Sequence, residues 1–234
     1  SLATATAGFR DEYYGLVAAC AEWNGAVGQE PNRLVTVGAV EPLAVKWGAE
    51  QSTFGRRKWL TPWIDVEALD PKIRAWTDRQ LQPKVVLATQ SRLLEPVVDL
   101  AGNMIPATPL IAVHGDADDL ASIAAVLLAP PVVAWAWQRW FGAALAVDAI
   151  KLAARQVLEL PLPDDRLAWD RAAALIADAE PDPAFNGGVD SIEDGWALAT
   201  EVAAIMNRAY GADDVVWQWW VERAGRSAPG AAAP

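Results

Sequence analysis

Apolar positions recur along this chain in three rhythms, and each predicts a different kind of element. The first is the short run of a strand. Leu34 to Val40 (Leu-Val-Thr-Val-Gly-Ala-Val) and Pro42 to Trp47 read as strands of one sheet. Val85 to Ala88 is a continuous β-branched and apolar run entered from Pro83-Lys84, and it exits into Thr89-Gln90-Ser91-Arg92. That pattern predicts a buried strand that delivers polar groups to a surface. Leu94 to Leu100 and Met104 to Val113 continue β-like, broken by prolines and by Gly102-Asn103 as a turn, with Leu110 to Val113 as a second strand.

The second rhythm is helical. Pro71 to Leu81 places Ile73, Trp76 and Leu81 on about one face, with Pro71 at the helix start and Asp70 as N-cap. Leu120 to Trp137 is almost wholly apolar and nearly long enough to span a bilayer. Pro130-Pro131 in its middle and Asp118, Asp119 and Arg139 at its ends predict instead two helices packed inside the protein. The third rhythm is amphipathic and acidic: Leu167 to Asp178, Ile192 to Tyr210 with a capping-box-like Asp190 and Glu193, and Asp213 to Glu222 carrying Trp217, Trp219 and Trp220. Asn186-Gly187-Gly188 marks a turn between the first two, and the Gly/Ala/Pro/Ser-rich tail from Gly225 predicts disorder. Ahead of all these, Thr4 to Leu16 reads as a short polar strand or turn pivoting on Gly8. Together the patterns predict an α+β fold. A β-rich first half packed with helices (1–163) precedes an acidic helical extension packed on it (164–224) and a disordered tail (225–234).

Composition bounds this picture. A chain of 234 residues with 53% hydrophobic positions has ample material for a core. Its single cysteine, Cys20, forbids an intramolecular disulfide, and no signal-peptide pattern opens the chain, so a cytoplasmic location is expected. The net charge of -11 argues against phosphate binding until its distribution is considered. Residues 161–234 hold 5 Lys/Arg against 13 Asp/Glu, whereas residues 46–92 hold 9 against 5. A basic middle therefore survives within an acidic protein, and the acidic last third is expected to lie away from any duplex.

Candidate chemistry concentrates in that middle. Phe54-Gly55-Arg56-Arg57-Lys58-Trp59 sets three consecutive cations between aromatic residues, a pattern suited to neutralising phosphates while rings pack on sugar or base. A solvated basic loop with Trp59 turned into the core is the alternative meaning of the same run. Lys151 and Arg155, four residues apart, share one face of any helix formed there. His114-Gly115-Asp116 contains metal-ligand types, but His114 is the only histidine, and a metal site needs three or four ligands. It reads as a turn before an N-cap at Asp118 or Asp119, and no metal is expected. Nor does one His with one Cys make a defensible nucleophilic set.

The order of these parts carries a resemblance. A Thr-Gly-aromatic opening (Thr6, Gly8, Phe9, Tyr14), the Pro83-Lys84 strand ending in Gln90 and Arg92, and the strand at Leu110 to Val113 come first. Leu127-Leu128 with the aromatic segment Trp135, Trp137, Trp140 and Phe141, then the Lys151 to Arg155 segment and Leu160-Pro161-Leu162-Pro163, complete it. This arrangement resembles the C-terminal target-recognition domain of TaqI-type adenine-specific DNA methyltransferases of restriction-modification systems, over roughly half the chain. The family's Leu-Leu-Asn-Ser is replaced here by Leu127-Leu128-Ala129-Pro130. The resemblance implies double-stranded DNA as partner, read through Arg56, Arg57, Lys58, Lys84, Gln90, Arg92, Lys151 and Arg155 on one basic surface. It also implies a methyltransferase catalytic domain in cis or in trans, which would hold S-adenosylmethionine and the Asn-Pro-Pro-Tyr motif, since neither that motif nor a Gly-rich cofactor loop occurs in these residues. On this reading the chain alone binds no cofactor, is no catalyst and has no membrane partner. A Trp-rich acidic protein-interaction subunit, such as one of a defence complex, with no direct DNA reading, is the alternative.

Overall fold

The computed structural model of the chain describes residues 2–25, 30–88, 90–140, 149–179 and 191–227. Strand β1 (Thr4–Ala7) passes through Gly8 into helix α1 (Arg10–Ala19), followed by strands β2 (Cys20–Glu22) and β3 (Arg33–Val35). The short strands β4 (Val40–Glu41) and β5 (Ala44–Val45) pair with each other, as do β6 (Ser52–Phe54) and β7 (Arg57–Trp59), and β8 (Pro62–Ile64) follows. Helix α2 (Pro71–Gln80) starts where Pro71 and Asp70 predict, the Asp70 carboxylate accepting from the N–H groups of Lys72 and Ile73. Strands β9 (Lys84–Ala88), β10 (Glu95–Asp99), β11 (Met104–Pro106) and β12 (Ile111–His114) complete the β portion. The helices α3 (Leu120–Leu128), α4 (Pro130–Trp140), α5 (Ala154–Val157), α6 (Arg166–Ala177), α7 (Ile192–Ala209) and α8 (Asp214–Ser227) come last. The fold is α+β.

One sheet has the order β1-β12-β9-β10, antiparallel throughout, and a second has the order β11-β3-β8-β2. Strand β9 explains its own unbroken apolar run, because it is covered on both faces. Val85 and Leu87 face a core shared with α3, α4, α6, α7 and α8, while Val86 and Ala88 face Val35, Val45, Val97 and Leu110. A third core, under the second sheet, gathers Leu16, Phe54, Trp59, Ile64, Ile73 and Trp76. The acidic helices supply Trp169, Val202, Met206 and Trp220 to the first core, so residues 164–224 share it with the sheet.

Several boundaries differ from the sequence expectation. Leu34 to Val40 is not one strand: the chain leaves β3 after Val35 and makes a 3-10 turn at Val37–Ala39 around Gly38. Pro42 to Trp47 contracts to β5 because Leu43 adopts φ +58. The apolar stretch does break at the prolines as predicted, before Pro130 into α3 and α4, bent by 63°, and no single helix among the described residues is long and apolar enough to cross a membrane. His114 ends a strand instead of sitting in a turn, paired with Thr4, and Asp119 stands at the α3 N-cap without a side-chain cap bond. The cap of α7 is Ser191, whose hydroxyl accepts from Asp194 N–H at 3.1 Å and donates to the Asp194 carboxylate at 2.7 Å. Gly225 to Ser227, expected in the disordered tail, extend α8, because Ala224 is buried in the core and keeps the helix in register with it. Thr89, Phe141, Asn186-Gly187-Gly188, Asp190 and residues 228–234 lie outside the described residues.

Candidate nucleic-acid interface

The three-cation run forms a β-ribbon. Strands β6 and β7 pair in the register Ser52↔Trp59, Thr53↔Lys58 and Phe54↔Arg57, so only Gly55 and Arg56 make the turn. Both have positive φ, +58 and +65, the signature of a type I′ hairpin, whose twist matches that of its strands. Gly55 is required twice over, since a Cβ there would also lie 2.8 Å from Val17 Cγ1. Arg56 carries a Cβ into a left-handed conformation at a cost of about 1 kcal/mol. Phe54 and Trp59 plug the ribbon into the third core, and Trp59 Nε1 donates to the Phe54 carbonyl at 3.0 Å. At its base, one Glu22 carboxylate oxygen accepts from Leu60 N–H at 3.0 Å and Thr61 N–H at 2.6 Å. Arg56, Arg57 and Lys58 are exposed, and the Arg57 guanidinium lies 4.7 Å over the Trp59 ring. Trp59 and Phe54 are turned into the core, as the second reading of the run has it, so neither ring is free to pack on a sugar or base, while the three cations beside them are exposed.

A second group of polar residues lies at one end of the first sheet. The C-terminal ends of β1 and β9 and the N-terminal end of β12 share one edge, as the pairings Ala7↔Ile111 and Ile111↔Leu87 require. Thr108 and Pro109, just before β12, line a groove of about 470 Å³ together with Thr53 and Phe54 of the ribbon. At this edge β9 leads into Gln90, Ser91 and Arg92. The Ser91 carbonyl accepts from Ile150 N–H at 2.9 Å, which seats Lys151 beside the loop. Lys151 and Arg155 are exposed, but α5 begins only at Ala154, so the two do not share a helix face as their spacing predicts. Gln90 is half-buried. Arg92 is turned toward the last helix, its Nη1 donating to the Arg226 carbonyl at 3.2 Å, where a cation suits the negative end of α8. The end of α8 thus meets the loop through a backbone carbonyl, which ties this last helix to the first half.

Lys84 does not belong to any surface. It is 0% exposed and ion-paired with the equally buried Asp99, its Nζ also donating to the Gln82 carbonyl at 3.2 Å. Asp99 in turn accepts from Asn103 N–H at 3.2 Å and Met104 N–H at 3.0 Å. Burial pulls the lysine below its ordinary pKa while Asp99 pulls it back. The pair fastens β9 to β10 and to the turn at Gly102, where φ is +66 and a Cβ would meet the Gln82 backbone at 2.7 Å.

Beside the Gln90 loop, Glu95 is buried and its pKa is pushed up to about 8 by burial and then by the Glu41 charge, against a hydrogen bond from Ser91 and the charge of Lys46. Glu41 is held by Lys46 at 2.8 Å and by Trp196 Nε1 at 3.0 Å, which joins α7 to β4. Elsewhere burial pushes the Cys20 thiol up to about 12, so it is not an activated nucleophile. His114 is held below its ordinary value, first by burial and then by the charge of Lys84. Among the described residues no group of three or more His, Cys, Asp or Glu is placed to hold a metal ion.

Two features escaped sequence reasoning. Arg226 reaches the Gln90 loop from 134 residues away, and no local pattern announces that contact. A ladder of tryptophans and arginines joins α4 to α8: Arg139 lies 3.9 Å over Trp135, and Arg223 lies 3.7 Å over Trp137 and 4.5 Å over Trp219. Here a signal exists, because Trp135 to Arg139 and Trp219 to Arg223 are both four apart. No protein-family model matches the chain, and no curated protein matches it either.

Proposed function

We propose that this chain is the sequence-specific DNA-recognition module of an adenine-specific DNA methyltransferase or restriction-modification enzyme. The observation that carries the reading is the hairpin, anchored in the core by Phe54 and Trp59, that leaves Arg56, Arg57 and Lys58 exposed together at and beside its two-residue turn. A two-stranded ribbon fits the major groove, and cations on its flanks neutralise phosphates. Catalysis and S-adenosylmethionine binding belong to a methyltransferase domain in cis or in trans. The test is binding of the full-length enzyme to a randomised duplex pool across a salt series. The triple variant Arg56→Ala, Arg57→Ala, Lys58→Ala is expected to bind all duplexes more weakly with a shallower salt slope. A slope and sequence preference equal to wild type would overturn the reading.

One observation favours a second reading, a protein-interaction subunit. The half-buried Trp135, Trp137, Trp140 and Trp219, with Arg139 and Arg223, have the composition of an interface hot spot. On that reading Trp219→Ala would abolish partner capture while the ribbon variant changes nothing.

A further inference from the structure

The strand register sets how far each cation stands from the protein. Pairing of Phe54 with Arg57 leaves Gly55 and Arg56 as the whole turn, so Arg56 occupies the apex, beyond the anchors Phe54 and Trp59. Arg57 lies back along the Trp59 ring, and Lys58 stands with Thr53 on the outward face. Type I′ turns favour Asn, Asp or Gly at both central positions, yet this turn holds an arginine at φ +65. Among the described residues Arg56 has no ion pair or hydrogen bond within the chain that would account for it there. Arg92, by contrast, is engaged by α8, its Nη1 donating to the Arg226 carbonyl.

Resting on the DNA-recognition reading above, we propose that Arg56 is the specificity-determining residue of the ribbon: it enters the major groove and donates to the O6 and N7 acceptors of a guanine, while Arg57 and Lys58 contact flanking phosphates. A narrow ribbon with a two-residue turn brings its apex to the groove floor, and the guanidinium fork matches the paired acceptors of guanine. Arg57 and Lys58, set back from the apex, meet the groove walls.

The left-handed turn supplies a clean test, because glycine is the residue the conformation prefers. Arg56→Gly keeps the hairpin, and thermal unfolding is expected at or above the wild-type temperature. Binding of the full-length enzyme to a randomised duplex pool is then compared for wild type, Arg56→Gly, Arg56→Asn and the pair Arg57→Ala, Lys58→Ala. The two Arg56 variants are expected to lose preference for guanine at one position by roughly 5- to 150-fold, with preference elsewhere retained. The Arg57/Lys58 variant is expected to weaken all duplexes alike. Uniform weakening by Arg56→Gly with guanine preference intact would make Arg56 a phosphate contact and overturn the proposal. Unfolding of both the Gly and Asn variants would make it a turn-forming residue and overturn it as well. If the wild-type enzyme selects sequences and the Arg56 variants select the same ones, this assignment falls alone. If wild type binds no duplex, the DNA-recognition reading falls with it.

Discussion

The ribbon Ser52–Trp59 and the strand Lys84–Ala88 each carry cations next to apolar residues, and the fold treats those cations in opposite ways. In the ribbon, two aromatic anchors hold a narrow hairpin, and Arg56, Arg57 and Lys58 at and beside its turn stay exposed. Strand β9 is central in its sheet and covered on both faces, so Lys84 at its start is enclosed and survives only by pairing with Asp99. Position in the sheet, more than the residue type, decides whether a cation is a contact or a rivet. A basic residue opening a continuous apolar run is therefore a poor nominee for phosphate binding.

The largest effect expected from breaking this contrast is at the rivet. Lys84→Ala leaves the Asp99 carboxylate buried without its cation and should destabilise the fold by about 3 to 5 kcal/mol. Denaturant unfolding followed by tryptophan fluorescence measures it, and a loss under about 1 kcal/mol would mean that Asp99 is satisfied by its backbone partners alone.

Next in size is Glu95, under the Gln90 loop. Its folded pKa is raised to about 8 from an ordinary value of 4.5, so the native state holds a proton that the unfolded chain releases. Stability is then greatest below about pH 4.5 as far as this group is concerned, falls as pH rises through the interval up to about 8, and is level above it. Glu95→Gln should remove that decline and stabilise the protein at pH 8 by about 1 to 3 kcal/mol. Unfolding curves of the two proteins at pH 5, 6.5 and 8 check the sign. A gap that narrows with rising pH contradicts the neutral, buried carboxyl.

How much of this was legible in the sequence depends on the range of the interaction that decides each element. Helix α2, with Asp70 capping Pro71, and the break before Pro130 rest on neighbouring residues and were readable. So was the two-faced burial of β9 from its unbroken apolar run. The turn at Leu43, the length of α8 and the burial of Lys84 depend on contacts with distant segments, and local patterns do not report them. For the candidate site, the cations of the ribbon were found because they are contiguous. The α8 contact of Arg92 was not, since its partner is 134 residues away.

That contact gives a smaller effect with a particular consequence. Arg92→Ala removes one charge-assisted bond to the end of α8 and should cost about 1 kcal/mol of stability. Helices α7 and α8 contribute Trp196, Val202, Met206 and Trp220 to the core, so deletion of 192–234 is expected to unfold the chain, and the point variant is the usable probe. If the clamp positions Gln90, the Arg92 variant should blur sequence preference in the duplex pool while leaving the salt slope nearly unchanged. A slope reduced by about one would instead make Arg92 a phosphate contact.

The smallest change in stability, and the sharpest form of the comparison, is Lys58→Ala set beside Lys84→Ala. Lys58 is exposed on the outward face of the ribbon, opposite Thr53, and its loss should move stability by less than about 0.5 kcal/mol. Its effect belongs to binding: if it contacts a phosphate, the log-log dependence of affinity on salt should lose about one unit of slope. Lys84→Ala should do the reverse. Measured per folded molecule, at a temperature where the variant remains native, its salt slope should equal that of wild type, because a lysine enclosed between β9 and Asp99 releases no counterion when DNA binds. Equal slopes for all three proteins would remove the ribbon's outward face from the interface. A slope loss in Lys84→Ala would require the buried pair to open on binding.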